Sequence, residues 1–374
     1  MIAASIAVAV SAIGIAQAVA AWLVVRRFAA RLGAGPGSET VPVTILKPLH
    51  GDEPLLEQAL STVCAQDYPT WQVVFGVQDP TDTALPVVRR LQARYPNCDI
   101  AVVVDPTPHG PNRKVANLIN MLPAAKHDVL VIADSDVHAA PDWLQRLVAA
   151  LQAPGTGLAT TIYTGLPAAR EGTVPALGAL QINHYFLPGA LLARALGRQD
   201  CLGATMMLRR DTLNRIGGLQ ALVNHLADDN VLGRLVQRLG LAVALADTVP
   251  ATTVPETTLA ALWRHELRWA RTIRALAPLP FAASVLQYPI AWAALAVLLA
   301  GAAPLSLTWF ALAWALRALA ARETDNALAL ANRSPLWLLP LRELMSVAVM
   351  AASYAGRRVD WRGHTLEAEG FDPR

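Results

Sequence analysis

The chain has 374 residues, enough for one large domain or two of ordinary size. It is 54% hydrophobic and only 16% charged, whereas soluble domains carry about 25% charged residues. This deficit predicts membrane spans. The net charge of +3, without a long lysine or arginine run, argues against nucleic acid as a partner. The three cysteines form no C-x-x-C pair, which argues against zinc and disulfide frameworks.

The first part of the chain is an uncharged, apolar run. No charged residue occurs in residues 1–25, and Arg26, Arg27 and Arg31 follow. About 20 apolar residues span a bilayer, so we predict an N-terminal transmembrane helix over 1–25 and a basic juxtamembrane linker over 26–40. The positive charges follow the apolar run, which is not typical of a cleaved signal peptide. The positive-inside tendency places the next residues in the cytoplasm.

After the linker, the spacing of apolar residues alternates between that of strands and that of helices. The predicted strands are residues 41–46, 71–77, 100–104 and 129–133. The predicted helices are residues 53–64, 85–95 and 112–122. This alternation predicts an α/β fold with a right-handed, mostly parallel sheet and helices on both faces.

The last of these strands ends at two carboxylates, Asp134 and Asp136. Open α/β sheets bind ligands at the carboxyl ends of their strands, and hard oxygen ligands suit Mg²⁺ or Mn²⁺ held against a diphosphate. The pair therefore points to a nucleotide-sugar site. An acidic turn followed by a helix N-cap explains the same residues and stays open.

Two further polar residues are expected at the same edge of the sheet. Asp79 follows the strand over 71–77, where its carboxylate suits either a nucleoside contact or a helix cap. Lys114 opens the helix over 112–122, where a lysine and the helix N-terminus together suit a diphosphate. A solvated surface lysine is the alternative.

Beyond residue 153 the pattern is less regular. Two strands are predicted, over residues 158–163 and 202–209. The apolar stretch 181–196 contains a Pro-Gly pair and predicts two helices. An amphipathic helix opens at Asp228 and Asp229. Two acids in a first helical turn are normally partners of the helix dipole, so a structural role competes with a catalytic one.

Residues 262–274 form a predicted helix with four arginines and two tryptophans. Arg264, Arg268 and Arg271 share one face of it. Such a stripe binds anionic lipid headgroups or a leaving diphosphate, and the pattern does not choose between these ligands.

The remaining residues predict more membrane segments. Residues 281–320 predict a transmembrane hairpin. The segment 335–355 contains Arg342 and Glu343, so we predict a third membrane or interfacial segment rather than a lipid-exposed span. The basic residues that follow place the tail, 356–374, in the cytoplasm.

An ordered set of motifs resembles the ceramide glucosyltransferase family and its bacterial hopanoid-biosynthesis relatives, in glycosyltransferase families 21 and 2. The motifs are Val43-Thr-Ile-Leu-Lys-Pro-Leu-His-Gly, Val77-Gln78-Asp79, Asn112-Arg-Lys-Val-Ala-Asn-Leu, Ala133-Asp-Ser-Asp, Asp229 and Arg268-Trp269. Two positions depart from the family pattern. His265 stands where the family has Gln or Arg. Asp136 stands where the eukaryotic ceramide enzymes have glycine, which favours the bacterial hopanoid branch.

The resemblance implies a cytoplasmic GT-A domain over 41–275 and an inverting transfer assisted by Mg²⁺ or Mn²⁺. The implied catalytic base is Asp229. The implied nucleotide-sugar contacts are Asp79, Lys114 and Asp134, and the implied metal ligands are Asp134 and Asp136. His265, Arg268 and Trp269 are implied to contact the diphosphate or the acceptor.

The same resemblance implies a multi-pass protein of the bacterial inner membrane, with a UDP-sugar as donor and a membrane lipid as acceptor. We expect transfer of a hexose, N-acetylglucosamine in particular, to a hopanoid polyol such as bacteriohopanetetrol. Three alternatives remain. The chain makes glucosylceramide, it is a processive polysaccharide synthase, or it is a non-catalytic membrane scaffold that binds nucleotide-sugar. A polysaccharide synthase normally needs a longer membrane channel.

Overall fold

The chain divides into two units in the computed structural model, which describes residues 1–33, 35, 40–169, 171–330, 333, 335–356, 358–361 and 364–367. The sheet unit comprises Arg31–Ala168 and Gly197–Pro255. The helical unit comprises Met1–Ala30, Ala169–Leu196 and Glu256–Arg374.

The elements alternate along the first half of the chain and become mostly helical toward its end. The α-helices are α1 (Ile2–Leu32), α2 (Leu56–Cys64), α3 (Ala84–Arg94), α4 (Arg113–Met121), α5 (Trp143–Gln152), α6 (Thr173–Gln181), α7 (Leu187–Ala195), α8 (Arg210–Arg215), α9 (Asp228–Arg238), α10 (Leu259–Leu276), α11 (Pro278–Ala283), α12 (Pro289–Leu299), α13 (Pro304–Ala327) and α14 (Leu339–Ser353). The strands are β1 (Val43–Pro48), β2 (Trp71–Val77), β3 (Asp99–Val104), β4 (Val129–Ala133), β5 (Val137–His138), β6 (Thr156–Thr160), β7 (Thr164–Pro167), β8 (Thr205–Arg209), β9 (Ala242–Leu245), β10 (Ala251–Val254), β11 (Arg358–Trp361) and β12 (His364–Glu367).

A seven-stranded sheet in the order β3-β2-β1-β4-β8-β6-β9 organises the sheet unit. Neighbours among β1 to β4 run parallel, β8 is antiparallel to β4 and β6, and β9 is parallel to β6. The predicted α/β fold with a mostly parallel sheet is therefore confirmed. Because β1, β2 and β4 are parallel, their carboxyl ends meet at one edge, where ligands bind in such sheets.

Apolar burial holds the helices of the sheet unit on the sheet. Residues of α2, α3 and α5 join those of β1, β2 and β4 in one buried cluster that includes Trp143, which is fully buried. Helix α4 is anchored differently: the Asn117 side-chain amide donates to the Gly76 carbonyl on β2 at 2.8 Å. A side chain at Gly76 would collide with Met121 and Asn117, so glycine permits this close packing.

A small second sheet, in the order β5-β10-β7, extends the sheet unit beyond the end of β4. The Asp136 carbonyl accepts a hydrogen bond from the Thr253 amide at 3.2 Å, and β5 begins at the next residue. The chain just after β4 is thus held by backbone pairing as well as by side chains.

The apolar stretch 181–196 differs from the predicted helix pair broken at its Pro-Gly step. Helices α6 and α7 are joined by one π-helical segment, Ile182–Phe186, and Pro188 lies in the first turn of α7. Because the π-helical segment runs directly into α7, Pro188 lacks an N–H that would otherwise bond to the carbonyl of His184. The guanidinium of Arg317 donates to that carbonyl instead, at 2.6 Å. The backbone irregularity consequently lies before the proline.

Three helices of the described chain are long and apolar enough to cross a membrane, namely Ile2–Leu32, Pro304–Ala327 and Leu336–Ser353. A fourth candidate, Pro278–Gln287 with Pro289–Leu299, is bent by 68°. The first half of the predicted hairpin is therefore not one straight helix. Proline at residue 289 explains the break, since its ring cannot continue the preceding turn.

Arg342 and Glu343, on α14 in the helical unit, are both fully buried. Arg342 makes two hydrogen bonds to the carboxylate of Glu266 on α10, at 2.6 and 2.7 Å. Glu343 accepts from the amides of Ile290 and Ala291, at 2.6 and 3.0 Å, in the first turn of α12. These charges are therefore paired with protein groups rather than exposed to lipid, as intramembrane charges generally are.

The Arg342–Glu266 pair provides a stability test. Arg342→Met leaves a buried carboxylate without its partner, which we expect to cost about 3–5 kcal/mol. Thermal unfolding in detergent should show a large fall in midpoint. The double variant Arg342→Met with Glu266→Met removes both charges and should recover most of that loss.

Arg90→Met is the matched control for that test. It breaks the Arg90–Glu57 pair, which is 2.8 Å long and about half exposed, and should cost at most about 1 kcal/mol. Equal effects of Arg342→Met and Arg90→Met would contradict a stabilising role for the buried pair.

Candidate active site

The buried strand β4 ends at Ala133, and the chain turns immediately. The Asp134 amide donates to the Ala204 carbonyl at 3.2 Å, and the Val137 amide donates back to the Asp134 carbonyl at 3.3 Å. The turn brings the side chain of Asp134 out of the sheet, where it is 37% exposed. The two acids at the strand end thus lie at the ligand-binding edge that the sequence predicts.

Lys114 links the end of β4 to the start of α9. Its Nζ lies 2.6 Å from Oδ1 of Asp134 and 3.6 Å from Oδ2 of Asp228. Burial alone would lower the pKa of Lys114, but the two carboxylates raise it overall, so the ammonium stays charged. The side chain is only 17% exposed, which rules out the solvated surface lysine.

The position of Lys114 follows from the cap of α4. The Asn112 side chain accepts from the Val115 amide at 3.1 Å, a regular N-cap. The same side chain donates to the carbonyl of His225 at 2.7 Å. This asparagine thereby ties the start of α4 to the loop that leads into α9.

Asp228 and Asp229 form the first turn of α9 but differ in their surroundings. Asp228 is paired with Lys114. The carboxylate of Asp229 accepts from the Asn230 amide at 2.7 Å and lies against Gly203, where a β-carbon would come within 2.9 Å of it. Burial, and then the charge of Asp228, raise the pKa of Asp229 to about 6. Asp228 is thus ion-paired with Lys114, whereas the carboxyl of Asp229 has a raised pKa.

A second cluster of charges surrounds Asp136. Burial, followed by the charges of Asp134 and Glu53, raises the pKa of Asp136 to about 7. The buried ammonium of Lys47 acts in the opposite direction. Burial thus contributes most to this raised pKa, and two neighbouring carboxylates add to it.

Tyr163 is a partly buried tyrosine whose hydroxyl is affected by these carboxylates. Burial and then the charges of Asp229, Asp134 and Asp136 raise the pKa of its hydroxyl. The charges of all three carboxylates therefore act on this one hydroxyl.

Asp134 and Asp136 fit a divalent cation that arrives with a diphosphate. Their carboxylates are hard oxygen donors of the kind that Mg²⁺ and Mn²⁺ take. Across the part of the chain that the structure describes, no group of three or more His, Cys, Asp or Glu is arranged to hold a metal ion. Mg²⁺ usually takes one or two protein carboxylates and completes its shell with water and substrate phosphates, so the donor set present is adequate.

Asp79 lies at the same edge of the sheet, just after β2, and forms a local turn. Its carboxylate accepts from the amide and the hydroxyl of Thr81, at 2.7 and 2.6 Å. These hydrogen bonds lower its pKa. The side chain does not cap α3, which begins after Thr83.

The remaining predicted residues lie on α10 of the helical unit. His265 pairs through Nδ1 with Oε1 of Glu256, and its ring meets that of Trp269 edge-on, with centroids 4.6 Å apart. Burial alone would raise the pKa of Glu256, but the hydrogen bond to His265 lowers it overall. His265 thus has a carboxylate partner and an aromatic partner, and Arg268 lies beside Trp269 on the same helix.

The sequence-based assignment missed Lys47, Glu53, Asp228 as a partner of Lys114, and Tyr163. One signal was available for Lys47, because a lysine within an apolar strand of a buried sheet is unusual. The other three are brought to the site only by the fold.

The family model described as "Glycosyl transferase family 21" matches residues 5–370. The chain belongs to glycosyl transferase family 21. This agrees with the resemblance carried by the motifs, and the family match alone does not distinguish a hopanoid branch.

Curated relatives are similar over part of their length. Ceramide glucosyltransferase 1 of Caenorhabditis elegans is 22% identical over 240 residues, covering 64% of this chain and 51% of the relative. The ceramide glucosyltransferase of Candida albicans is 34% identical over 121 residues, covering 29% of this chain and 22% of the relative. The chain thus spans about half the length of the first of these relatives.

Among solved structures, the mannosyltransferase PcManGT from Pyrobaculum calidifontis, in complex with GDP-Man and Mn²⁺, has a TM-score of 0.52 with 22% identity. The match covers 92% of this chain and 99% of that one. The family member therefore has the GT-A type fold that the motifs implied.

The raised pKa of Asp229 predicts that this residue destabilises the fold at neutral pH. When the pKa of a carboxyl is higher in the folded than in the unfolded state, the protein loses stability as pH rises between the two pKa values. For Asp229 these are 3.8 in the unfolded state and about 6 in the folded state. At about pH 7.5, Asp229→Asn should therefore raise the free energy of unfolding by about 1–3 kcal/mol. Below about pH 4 the difference should vanish.

Thermal unfolding of the full chain in detergent at both pH values measures this effect. Asp211→Asn serves as the control. The side chain of Asp211 is 77% exposed, and its carboxylate lies 3.9 Å from the guanidinium of Arg215, a long distance for an ion pair. An Asp229→Asn variant that is less stable than the unchanged chain at neutral pH would contradict the prediction.

Proposed function

We propose that the protein is an inverting membrane glycosyltransferase that moves a hexose from a UDP-sugar to a lipid hydroxyl. The sugar is N-acetylglucosamine and the acceptor is a hopanoid polyol such as bacteriohopanetetrol. The protein resides in the inner membrane of a bacterium with its catalytic domain in the cytoplasm. The observation that carries this proposal is the convergence of Lys114, Asp134, Asp136 and Asp229 at one edge of the sheet.

Asp229 is the proposed catalytic base. Inversion in one step requires a group that takes the proton from the acceptor hydroxyl as its oxygen attacks the anomeric carbon. Asp229 is partly buried at the start of α9. Its pKa of about 6 leaves it ionised yet basic at neutral pH. The neighbouring Asp228 is occupied by Lys114 and is a weaker candidate.

The leaving diphosphate needs positive charge. Asp134 and Asp136 would hold Mg²⁺ or Mn²⁺, which supplies Lewis-acid stabilisation of the charge that develops on UDP. Lys114, paired with Asp134 at 2.6 Å, provides a second cation within reach of the same place. Asp79, exposed at the end of β2, is the proposed nucleoside contact.

The membrane segments support a lipid acceptor. A lipid hydroxyl emerges at the membrane interface, and three or four segments apolar enough to span a membrane would hold the protein close to it. The roles of His265, Arg268 and Trp269 as diphosphate or acceptor contacts rest on the motif resemblance. The choice of the hopanoid branch rests on Asp136.

Synthesis of glucosylceramide is the second candidate function. It is favoured by the curated relatives, which are ceramide glucosyltransferases. The residues of the donor site are the same in both proposals, so only the lipid product separates them.

A lipid analysis tests the proposed function. The full chain and its Asp229→Asn variant are expressed in a host that makes hopanoid polyols, and total lipids are examined by mass spectrometry. We expect a hexosamine-bearing hopanoid with the unchanged chain. In purified protein the Asn variant should lose about 10²–10⁴-fold in turnover while still binding the UDP-sugar, because only proton transfer is removed.

Asp211→Asn, on the exposed face of α8, should leave the product unchanged. Detection of a hexosyl ceramide instead would support the second candidate function. A lipid-independent polymer would support a polysaccharide synthase. An active Asp229→Asn variant would contradict the assigned base, and UDP-sugar binding without turnover would support a scaffold.

The same base predicts a pH dependence of rate. Asp229 must be ionised to accept the proton, so kcat/KM should fall as pH drops through about 6. Steady-state UDP release, measured at saturating Mn²⁺ in detergent with lipid, provides the profile. A rate that rises on acidification would contradict a carboxylate base.

A further inference from the structure

Lys47 is a fully buried lysine in the fifth position of β1. Lysines are almost never fully buried unless their ammonium group is paired. Here the Nζ donates to the carbonyl of Asp134 at 2.6 Å and to that of Val137 at 3.4 Å. One ammonium group therefore holds both ends of the turn that carries Asp134 and Asp136.

The same turn is held a second time through its side chains. The hydroxyl of Ser135 donates to the carboxylate of Glu53 at 2.5 Å. The charges of Asp136 and Glu53 both act on the ammonium of Lys47. The buried residues Lys47 and Ser135, together with the partly buried Glu53, thus hold the turn that carries the two acids.

Electrostatics alone does not explain a lysine in this position. An ammonium group close to two carboxylates repels any divalent cation that those carboxylates bind. If Lys47 acted only through its charge, its presence would weaken cation binding. Its two hydrogen bonds to backbone carbonyls have the opposite effect, because they hold the ligand-bearing turn in one conformation.

We propose that Lys47 is a positioning residue, whose buried hydrogen bonds to the carbonyls of Asp134 and Val137 hold the Asp134 and Asp136 carboxylates in the geometry that binds a divalent cation with a nucleoside diphosphate. This inference rests on the proposed function and adds to it a residue that does not itself touch the donor. The geometric contribution outweighs the repulsion between Lys47 and the cation. Removal of the ammonium therefore weakens binding, although it also removes a repelling charge.

Lys47→Met tests the inference, because methionine keeps most of the buried stem and removes the ammonium. The dissociation constant of Mn²⁺·UDP is measured by isothermal titration calorimetry on the full chain in detergent. Loss of a group that orients metal ligands typically weakens metal affinity about 10–100-fold, and we expect an increase of that size. Thermal unfolding measured on the same samples reports any loss of fold.

The control is Lys126→Met. Lys126 pairs with Asp99 at 2.6 Å, the same distance, but its side chain is 59% exposed. We expect this variant to bind Mn²⁺·UDP as the unchanged chain does. The comparison separates loss of a lysine in general from loss of the hydrogen bonds that hold the turn.

The direction in which the affinity for Mn²⁺·UDP changes distinguishes the outcomes. Weaker binding by folded Lys47→Met supports it, whereas unchanged or tighter binding overturns it. If Lys47→Met does not unfold cooperatively, Lys47→Arg is used instead; its larger, planar head keeps the charge but displaces the two carbonyls, so weaker binding supports the inference and unchanged binding overturns it. If the unchanged chain binds no Mn²⁺·UDP, the proposed function itself fails.

Discussion

The ion pair between Lys114 and Asp134 connects the parts on which the candidate site depends. Strand β4 delivers the carboxylate, and the first turn of α4 delivers the ammonium, which also lies near Asp228 at the start of α9. Strand β4 ends at this edge of the sheet, and helices α4 and α9 begin there. Without a cation between them, Asp134 and Asp228 would repel each other across a partly buried space.

Some acids at this edge are not fully neutralised by a nearby cation, and this lowers the stability of the fold. Burial and neighbouring acids raise the pKa of Asp136 to about 7 and that of Asp229 to about 6. The proposed function, in which the site binds a cation and takes up a proton, requires such groups, although they lower stability at neutral pH. The apolar core beneath the sheet, which includes the fully buried Trp143, offsets that cost.

The helical unit also contains buried charges, here in apolar surroundings. Its buried charges are paired closely, as in the two hydrogen bonds between Arg342 and Glu266. Glu343 satisfies two amides at the start of α12, which would otherwise lack partners because Pro289 begins a new helix. Here the ionic groups join helices, whereas in the sheet unit several acids lie together at one edge of the sheet.

Much of this protein was predictable from local sequence. Strand and helix periods are local properties, and they predicted the α/β fold. The positions of Asp79, Asp134 and Asp229 at element ends are also local, but their proposed roles come from the motif resemblance. The contacts that tune those acids join residues distant in the chain, such as Lys47 with Asp134 and Ser135 with Glu53. Burial and Coulomb interactions depend on three-dimensional distance, which the local sequence does not specify. Only the tertiary structure therefore decided that Lys114 forms its ion pairs with Asp134 and Asp228 rather than with Asp229. The same holds for the burial of Arg342 and Glu343.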